Sequence, residues 1–267
     1  MKAEMRPTPV LMRYVNQRID VVLALILRDM RTRFGRSHLS YLVAVAWPLT
    51  HMVVIVVSAS LTSKVIPIGT SQSVFVSTGV LPYILCLYPA RMMMVAIEPN
   101  KSLLNFPVVK ILDLLIAKAI IEFVTAFSVI LIFYIGVYFA DVDIIPNNLA
   151  TWACAILMTI YLAISMGILN AVMVTLTRAW IAVFIGAIVI SYVLSGAFFL
   201  PSAMPQGVRD VIWYNPMFHC VEWLRSAFYE GYGDDELSKA YVFWFATCLL
   251  LLGLVGERFA RGKLLSS

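Results

Sequence analysis

Charged residues are scarce in this chain of 267 amino acids. Asp, Glu, Lys and Arg make up only 13% of the residues, whereas 61% are hydrophobic and the mean hydropathy is +0.89. A soluble domain carries about 25% charged residues because its surface must remain hydrated. The shortage excludes a water-soluble globular protein and predicts that the bilayer is the main solvent. The net charge of +5 therefore indicates membrane anchoring and not nucleic-acid binding.

The motifs of enzyme chemistry are also missing. The sequence has no GxxxxGK[ST] phosphate loop, no GxSxG, no HExxH and no DxxxD pair, and its three histidines are scattered. The cysteines lie far apart, at Cys86, Cys154, Cys220 and Cys248. Neither a disulfide framework nor a zinc site is indicated. We therefore predict no catalytic residue, no metal site and no cofactor on this chain; any ATP must be bound by another chain.

Six apolar stretches are long enough to cross a bilayer, which takes ~20 apolar residues per helix. They occupy residues 39–63, 74–97, 111–140, 149–177, 179–200 and 240–256. The segments on the side of the N-terminus hold fourteen Lys and Arg residues, and those on the opposite side hold four. Because basic residues collect in cytoplasmic segments, we predict an all-α integral membrane protein with six transmembrane helices and both termini in the cytoplasm.

An arginine-rich segment, residues 19–36, precedes the first apolar stretch. Its apolar residues recur at helical spacing, at Ile19, Val22, Leu23, Ile26, Leu27, Met30 and Phe34. This pattern predicts an amphipathic helix at the cytoplasmic membrane interface. The alternative, the start of a long first span, is costly because four arginines fall within nine residues. We divide the chain into a cytoplasmic N-terminus with this helix (1–38), a six-helix transmembrane domain (39–258) and a cytoplasmic tail (259–267).

Charged side chains inside the apolar stretches each have two interpretations. Lys118 and Glu122 are one helical turn apart, which indicates either a structural ion pair or a contact with a charged substrate. Arg91 either extends to water or binds an anionic headgroup. The arginines of residues 19–36 either anchor the cytoplasmic face or contact substrate.

Two connections are more than simple turns. Residues 98–107, here called the connecting segment, are rich in proline and predict a short cytoplasmic helix between the second and third spans. Residues 201–238 are too polar to cross alone and carry many aromatic residues, which settle at headgroup level. Within them, Asn215-Pro216 predicts the start of a helix. An apolar stripe (Met217, Val221, Leu224, Phe228) and a polar stripe (His219, Glu222, Arg225) indicate either a re-entrant helix or an amphipathic helix on the outer surface.

Four stretches occur in the order found in one family of membrane proteins. They are residues 25–42 continuing to Trp47-Pro48, residues 106–110 with Leu112-Asp113, residues 195–201 and residues 215–225. Together they resemble the ABC-2-type permeases that export bacterial polysaccharides, above all those of capsular polysaccharide, with O-antigen and teichoic-acid permeases as relatives. The resemblance covers nearly the whole chain.

The resemblance implies a permease subunit that is not itself an enzyme, located in the bacterial inner membrane. Its implied partners are a second copy of the chain, two copies of a P-loop ATPase that bind ATP and Mg²⁺, a periplasmic adaptor or co-polymerase, and an outer-membrane polysaccharide channel. By similarity, the connecting segment is the helix that receives the ATPase stroke, through Glu98, Pro99, Asn100, Lys101, Leu104 and Phe106. The outer helices that line or cap the exit carry Asn215, His219, Glu222 and Arg225.

A substrate pathway completes the hypothesis. Aromatic faces pack on sugar rings, and arginines attract an acidic glycan or its phospholipid anchor; the candidates are Arg28, Arg31, Arg33, Phe34, Tyr41, Trp47 and Arg91. The predicted function is ATP-driven export of a lipid-linked, acidic capsular polysaccharide. The alternatives are an O-antigen, teichoic-acid, glycolipid or drug permease, a membrane-embedded transferase, and a purely structural scaffold.

Overall fold

The protein is described here from a computed structural model that covers residues 10–35, 38–62, 66–232 and 236–266. These residues form helices and connections and include no β-strand, which confirms the predicted all-α class. The helices are α1 (Val10–Phe34), α2 (His38–Thr62), α3 (Gln72–Met94), a 3-10 helix (Glu98–Asn105), α4 (Ile111–Phe139), α5 (Leu149–Leu176), α6 (Trp180–Val193), a 3-10 turn (Pro201–Ala203), α7 (Gln206–Ile212), α8 (Pro216–Ser226) and α9 (Lys239–Ser266).

Among the residues that the structure describes, five helices are long and apolar enough to cross a membrane. They are α2, from Tyr41, α3, α4, α5 and α9, as far as Phe259. The crossing predicted at residues 179–200 is different, because α6 has only 14 residues. A helix of that length rises ~21 Å, less than the ~30 Å of bilayer hydrocarbon. The chain continues from α6 through turns, and Gly196 adopts a left-handed conformation (φ +75°) within them.

Helix α3 is the centre of the bundle. It packs against α2, α4, α5 and α8, and its Phe75, Ile84 and Leu85 are completely buried. Gly79 permits the closest approach, since a Cβ there would lie 2.6 Å from the Cα and the carbonyl oxygen of Ala197. Small residues allow helix backbones to approach closely in a membrane. The segment that follows α6 therefore packs directly on the backbone of α3.

Helix α1 lies along the first turns of α4. The end of the bundle where they meet, which also carries the connecting segment, is predicted to be cytoplasmic and is here called the inner end. The apolar stripe predicted on residues 19–36 divides in two: Val22 and Ile26 pack into the protein, whereas Leu23 and Leu27 are more than half exposed. An exposed apolar row beside an arginine-rich face suits contact with lipid at a membrane surface.

Helix α8 lies among other helices and not on the surface. It packs against α3, α5 and α9. The predicted start is confirmed, because the Asn215 side chain accepts a hydrogen bond from the Met217 backbone N–H (3.1 Å) and Pro216 is the first helical residue. Both stripes predicted for this helix are buried. Its polar stripe must therefore be satisfied inside the protein.

Candidate functional site

A cavity of about 320 Å³ lies between α2, α3, α4 and α6 at the inner end. Its walls include the charged residues Arg33, Arg91 and Glu122 and the aromatic residues Trp47 and Tyr88. We call it the Arg91 cavity. Three of the seven residues predicted for a substrate pathway, which come from α1, α2 and α3, thus share one cavity. Charged and aromatic side chains in one apolar cavity can orient a ligand that is partly polar.

Of the four other pathway candidates, Arg28, Arg31 and Tyr41 lie outside this cavity. Arg28 donates a hydrogen bond to Asn100 Oδ1 of the connecting segment (2.5 Å). The Tyr41 hydroxyl pairs with Ser128 Oγ of α4 (2.9 Å), and Arg31 is exposed on α1. The Phe34 side chain lies outside the described part of the structure. The substrate role of all seven residues stays a prediction.

The charges around the Arg91 cavity are almost balanced. Arg33 pairs with Glu122, and Lys118 Nζ lies 3.6 Å from Glu122 Oε1 and 3.0 Å from Asp29 Oδ2. Two cations therefore match two carboxylates. Arg91 is exposed and forms no hydrogen bond or ion pair with any residue in the described ranges. Its guanidinium is the unmatched positive charge of the cavity and can accept an anionic ligand.

The ion pair predicted from the spacing of Lys118 and Glu122 is present, and α1 adds a partner to each. Replacing Glu122 by Ala removes a buried carboxylate that pairs with both Arg33 and Lys118. Since Glu122 is 4% exposed and hydrogen bonds to charged groups contribute ~1.5–3 kcal/mol, we expect a loss of about 2 kcal/mol. Thermal unfolding in detergent measures it. Glu230→Ala, at an exposed outer position, is the control, and an equal melting temperature for both variants would contradict the expectation.

Aromatic side chains continue from the cavity toward the other end of the bundle. The Tyr88 hydroxyl lies 3.2 Å from His51 Nδ1, and His51 packs edge-on against Tyr83 and Tyr192. The rings of Tyr83 and Tyr192 are stacked with centroids 3.6 Å apart. Sequence reasoning missed this row. Tyrosines within an apolar span were its only signal, since the hydroxyl of a buried tyrosine needs a partner.

The connecting segment contains the predicted short helix, as the 3-10 helix Glu98–Asn105 with Pro99 in its first turn. Leu104 is buried against the bundle, whereas Phe106 is 61% exposed. Asn100 binds the segment to its neighbours, because its side chain donates to the Ala96 carbonyl (2.8 Å) and accepts from Arg28. The connecting segment is thus held against the bundle through Asn100 and Leu104, whereas Phe106 is exposed.

Glu98 lies at the start of this helix between two cations. Its carboxylate oxygens are 3.1 Å from Lys101 Nζ and 2.8 Å from Arg178 Nη2. The hydrogen bond from Lys101, together with the positive charge of Arg178, lowers the pKa of the Glu98 carboxyl below its ordinary value. A lowered carboxyl pKa means that these pairs are complete at neutral pH and are lost only as the pH falls through that lowered pKa.

A third set of ion pairs fixes α1 to the inner end of α4. Arg18 Nη1 donates to Asp113 Oδ2 (2.7 Å), and the same carboxylate accepts the Lys110 backbone N–H (2.9 Å). The partners of α1 rise along α4 in the order of the chain, with Arg18 bound to residue 113 and Arg33 to residue 122. The two helices therefore run in the same direction over this stretch.

The polar stripe of α8 forms an internal network. Arg225 is fully buried, lies over the Phe75 ring (4.0 Å to its centroid) and donates to the Ala197 carbonyl (2.9 Å). Glu222 Oε1 is 3.3 Å from Arg225 and accepts the hydroxyl of Tyr232 (3.0 Å). These contacts hold the turn after α6 against α8 and α3.

His219 and Asn215 complete the same network. The ring of His219 accepts the Ser238 backbone N–H at Nδ1 (3.2 Å) and bonds the Trp213 carbonyl at Nε2 (2.8 Å). Asn215 accepts the Ser191 hydroxyl (2.6 Å) and donates to the Ser191 carbonyl (2.7 Å). All four predicted outer residues thus have partners within the protein. Within the described part of the chain, no three His, Cys, Asp or Glu residues are placed to hold a metal ion.

Comparison of the sequence with known proteins identifies its family. The family model described as ABC-2 type transporter matches residues 21–229. The polysialic acid transport protein KpsM of Escherichia coli is 26% identical over 250 residues, which cover 91% of this chain and 95% of KpsM. The capsule polysaccharide export inner-membrane protein CtrC of Neisseria meningitidis serogroup A is 26% identical over 255 residues, covering 91% and 92% of the two chains.

Proposed function

Since this chain belongs to the ABC-2 type transporter family, we propose that it is the membrane subunit of an exporter of capsular polysaccharide. The observation that carries the proposal is the similarity to KpsM and CtrC along 91% of the chain. Energy comes from ATP hydrolysis on a separate P-loop subunit, and the chain lies in the inner membrane with both termini in the cytoplasm. The connecting segment is the contact for that subunit.

The working unit is a homodimer with a pore between two copies, each bound to one ATPase. Helix α2 supports this arrangement, because only 22% of its membrane-spanning window is buried and Trp47 is 73% exposed beside the Arg91 cavity. A polymer longer than the bilayer is thick cannot be enclosed in one closed cavity. A continuous channel with stepwise movement is therefore physically preferable. A periplasmic adaptor and an outer-membrane channel continue the path.

The Arg91 cavity is the entrance for an acidic, lipid-linked glycan. The free charge of Arg91 attracts a carboxylate or phosphate, while Trp47 and Tyr88 offer ring faces to sugars. The row formed by His51, Tyr83 and Tyr192 provides further rings along the bundle.

The function is tested by deleting the gene and measuring surface and intracellular polysaccharide. We expect capsule to accumulate inside the cell and to return to the surface when the wild-type chain is supplied. Loss of O-antigen or teichoic acid with normal capsule would assign the alternative cargo. Normal surface polymers of every kind, or turnover of substrate by the purified chain without an ATPase, would contradict export.

Replacing Arg91 by Ala tests the entrance. A hydrogen bond to a charged group contributes ~1.5–3 kcal/mol, which corresponds to a factor of about ten or more. We therefore expect at least a tenfold lower export rate into inverted vesicles at subsaturating substrate, with Arg91→Lys retaining part of the rate. Arg13→Ala, another exposed arginine, is the control. Export by Arg91→Ala at the wild-type rate would remove Arg91 from the pathway.

A further inference from the structure

Arg178, between α5 and α6, faces the connecting segment. We propose that Arg178 transmits movement of that segment to α6, which thereby becomes the movable wall of the Arg91 cavity. This inference rests on the proposed function, since it assumes that an ATPase subunit displaces the connecting segment. It assigns a positioning role to Arg178, which in the sequence is only one of the fourteen Lys and Arg residues on the side of the N-terminus.

The first step is the ion pair between Glu98 and Arg178. Arg178 Nη2 lies 2.8 Å from Glu98 Oε1, and the two side chains are 82% and 52% exposed. Exposed ion pairs contribute little to stability, so this one is unnecessary as a structural brace. It is, however, accessible to a docking subunit and joins the connecting segment to another part of the chain. Lys101 offers Glu98 a second cation at 3.1 Å, so the carboxylate has a partner on either side.

The second step is the short distance in sequence from Arg178 to the cavity wall. The Arg178 carbonyl accepts the backbone N–H of Ile181 in the first turn of α6 (3.2 Å). Ile181 lines the Arg91 cavity on one side. On the other side it lines a cleft of about 490 Å³ whose walls include Glu98, Pro99 and Arg178. Ile181 is therefore the residue of α6 that lies between the two spaces, beside Met94 and Val95, which also line both.

The third step concerns the way in which α6 is held. A wide apolar cleft of about 710 Å³, lined by residues such as Ala187, Ile190 and Phe245, separates one side of α6 from α5 and α9. Defined polar bonds occur at its two ends: Trp180 Nε1 donates to Asn170 Oδ1 (2.7 Å), and Ser191 exchanges two hydrogen bonds with Asn215. A short helix with few polar bonds and an open cleft along one face can shift as a rigid unit.

Charge reversal tests the ion pair in the complete complex of this chain with its ATPase in proteoliposomes. Arg178→Glu is expected to lower substrate-stimulated ATPase activity at least fivefold, with the ATPase still bound in equal amount. The double swap, Glu98→Arg with Arg178→Glu, is expected to restore more than half of the stimulation because the ion pair re-forms with reversed sign. Arg258→Glu, an exposed reversal on α9, is the control.

A second measurement reports α6 directly. In a variant with its four native cysteines replaced by Ser, the thiol introduced by Ile181→Cys is labelled with a water-soluble maleimide, with and without a trapped ATP analogue. We expect the labelling rate to change at least threefold on nucleotide binding with Arg178 present and to stay constant with Arg178→Glu. Wild-type coupling by Arg178→Glu, a double swap no better than the single variant, or a nucleotide response independent of Arg178 would overturn the inference. If the wild-type complex shows no stimulated ATPase, the proposed function fails instead.

Discussion

Replacing Arg225 by Met is expected to leave little folded protein. The guanidinium is fully buried and binds the Glu222 carboxylate, the Ala197 carbonyl and the Phe75 ring. Methionine fills part of the space but supplies no donor, so the Ala197 carbonyl loses the Arg225 donor and the buried Glu222 carboxylate keeps the Tyr232 hydroxyl but loses its cation. Breaking a buried ion pair by removal of one member costs ~3–5 kcal/mol. In a chain of this size, that corresponds to a fall in melting temperature of about 10 °C.

The measurement is the melting temperature and the yield of monodisperse protein in detergent, for a fluorescent fusion. Arg209→Met is the matched control, because Arg209 also pairs with a glutamate, Glu236 at 2.8 Å, but lies in the partly exposed helix α7. Its expected cost is below ~1 kcal/mol. If Arg225→Met and Arg209→Met had the same melting temperature, the buried network would not hold the turn after α6 as described.

Replacing Gly79 by Leu is expected to have a similarly large effect through packing alone. The nearest atoms to an added Cβ are the backbone Cα and carbonyl oxygen of Ala197, both at 2.6 Å. Backbone atoms cannot rotate away, so α3 must separate from the turn after α6. Overpacking a well-packed core costs ~1–3 kcal/mol and sometimes more, and a leucine extends well beyond its Cβ. The shift would also strain the contact between Arg225 and Ala197.

Gly136 provides the matched control for this substitution. It too is a helical glycine in a predicted span, but a Cβ there would meet nothing within 4 Å. Gly136→Leu is therefore expected to fold and traffic normally, with a melting temperature equal to the wild type or above it, since glycine costs ~1 kcal/mol in a helix. Comparable yields of Gly79→Leu and Gly136→Leu would show that α3 and the turn after α6 are less tightly packed than the structure indicates.

Local rules predicted those features that depend on neighbours in sequence. The Asn215 cap, the short helix of the connecting segment and the pair formed by Lys118 and Glu122 each involve residues within a few positions of one another. Composition sufficed for the five long spans and the all-α class. The family followed from motifs in their order, and the family model that matches residues 21–229 confirms it.

Features that depend on distant residues could not be predicted in the same way. Glu98 and Arg178 are 80 positions apart, and Arg33 and Glu122 are 89 apart, so neither pair leaves a spacing pattern. Hydropathy also failed to place the end of α6. Residues 194–200 are apolar enough to extend a span, but Gly196 turns the chain and Arg225 supplies a donor to the Ala197 carbonyl. The donor that satisfies the Ala197 carbonyl is Arg225 of α8, which follows α6 in the chain, so the apolar residues of the span give no sign of it.

The attachment of α1 to α4 sets an order of events during biosynthesis. Arg18 finds its carboxylate 95 residues later in the chain, and Asp29 and Arg33 find their partners 89 residues later. None of these contacts exists until the ribosome has made α4, by which time α2 and α3 have already been delivered to the membrane. During that interval Arg18 lacks Asp113 and Arg33 lacks Glu122, whereas Asn100, the partner of Arg28, has already been made. Insertion of α4 is therefore the event that supplies the carboxylates and the lysine by which α1 becomes fixed to the rest of the protein.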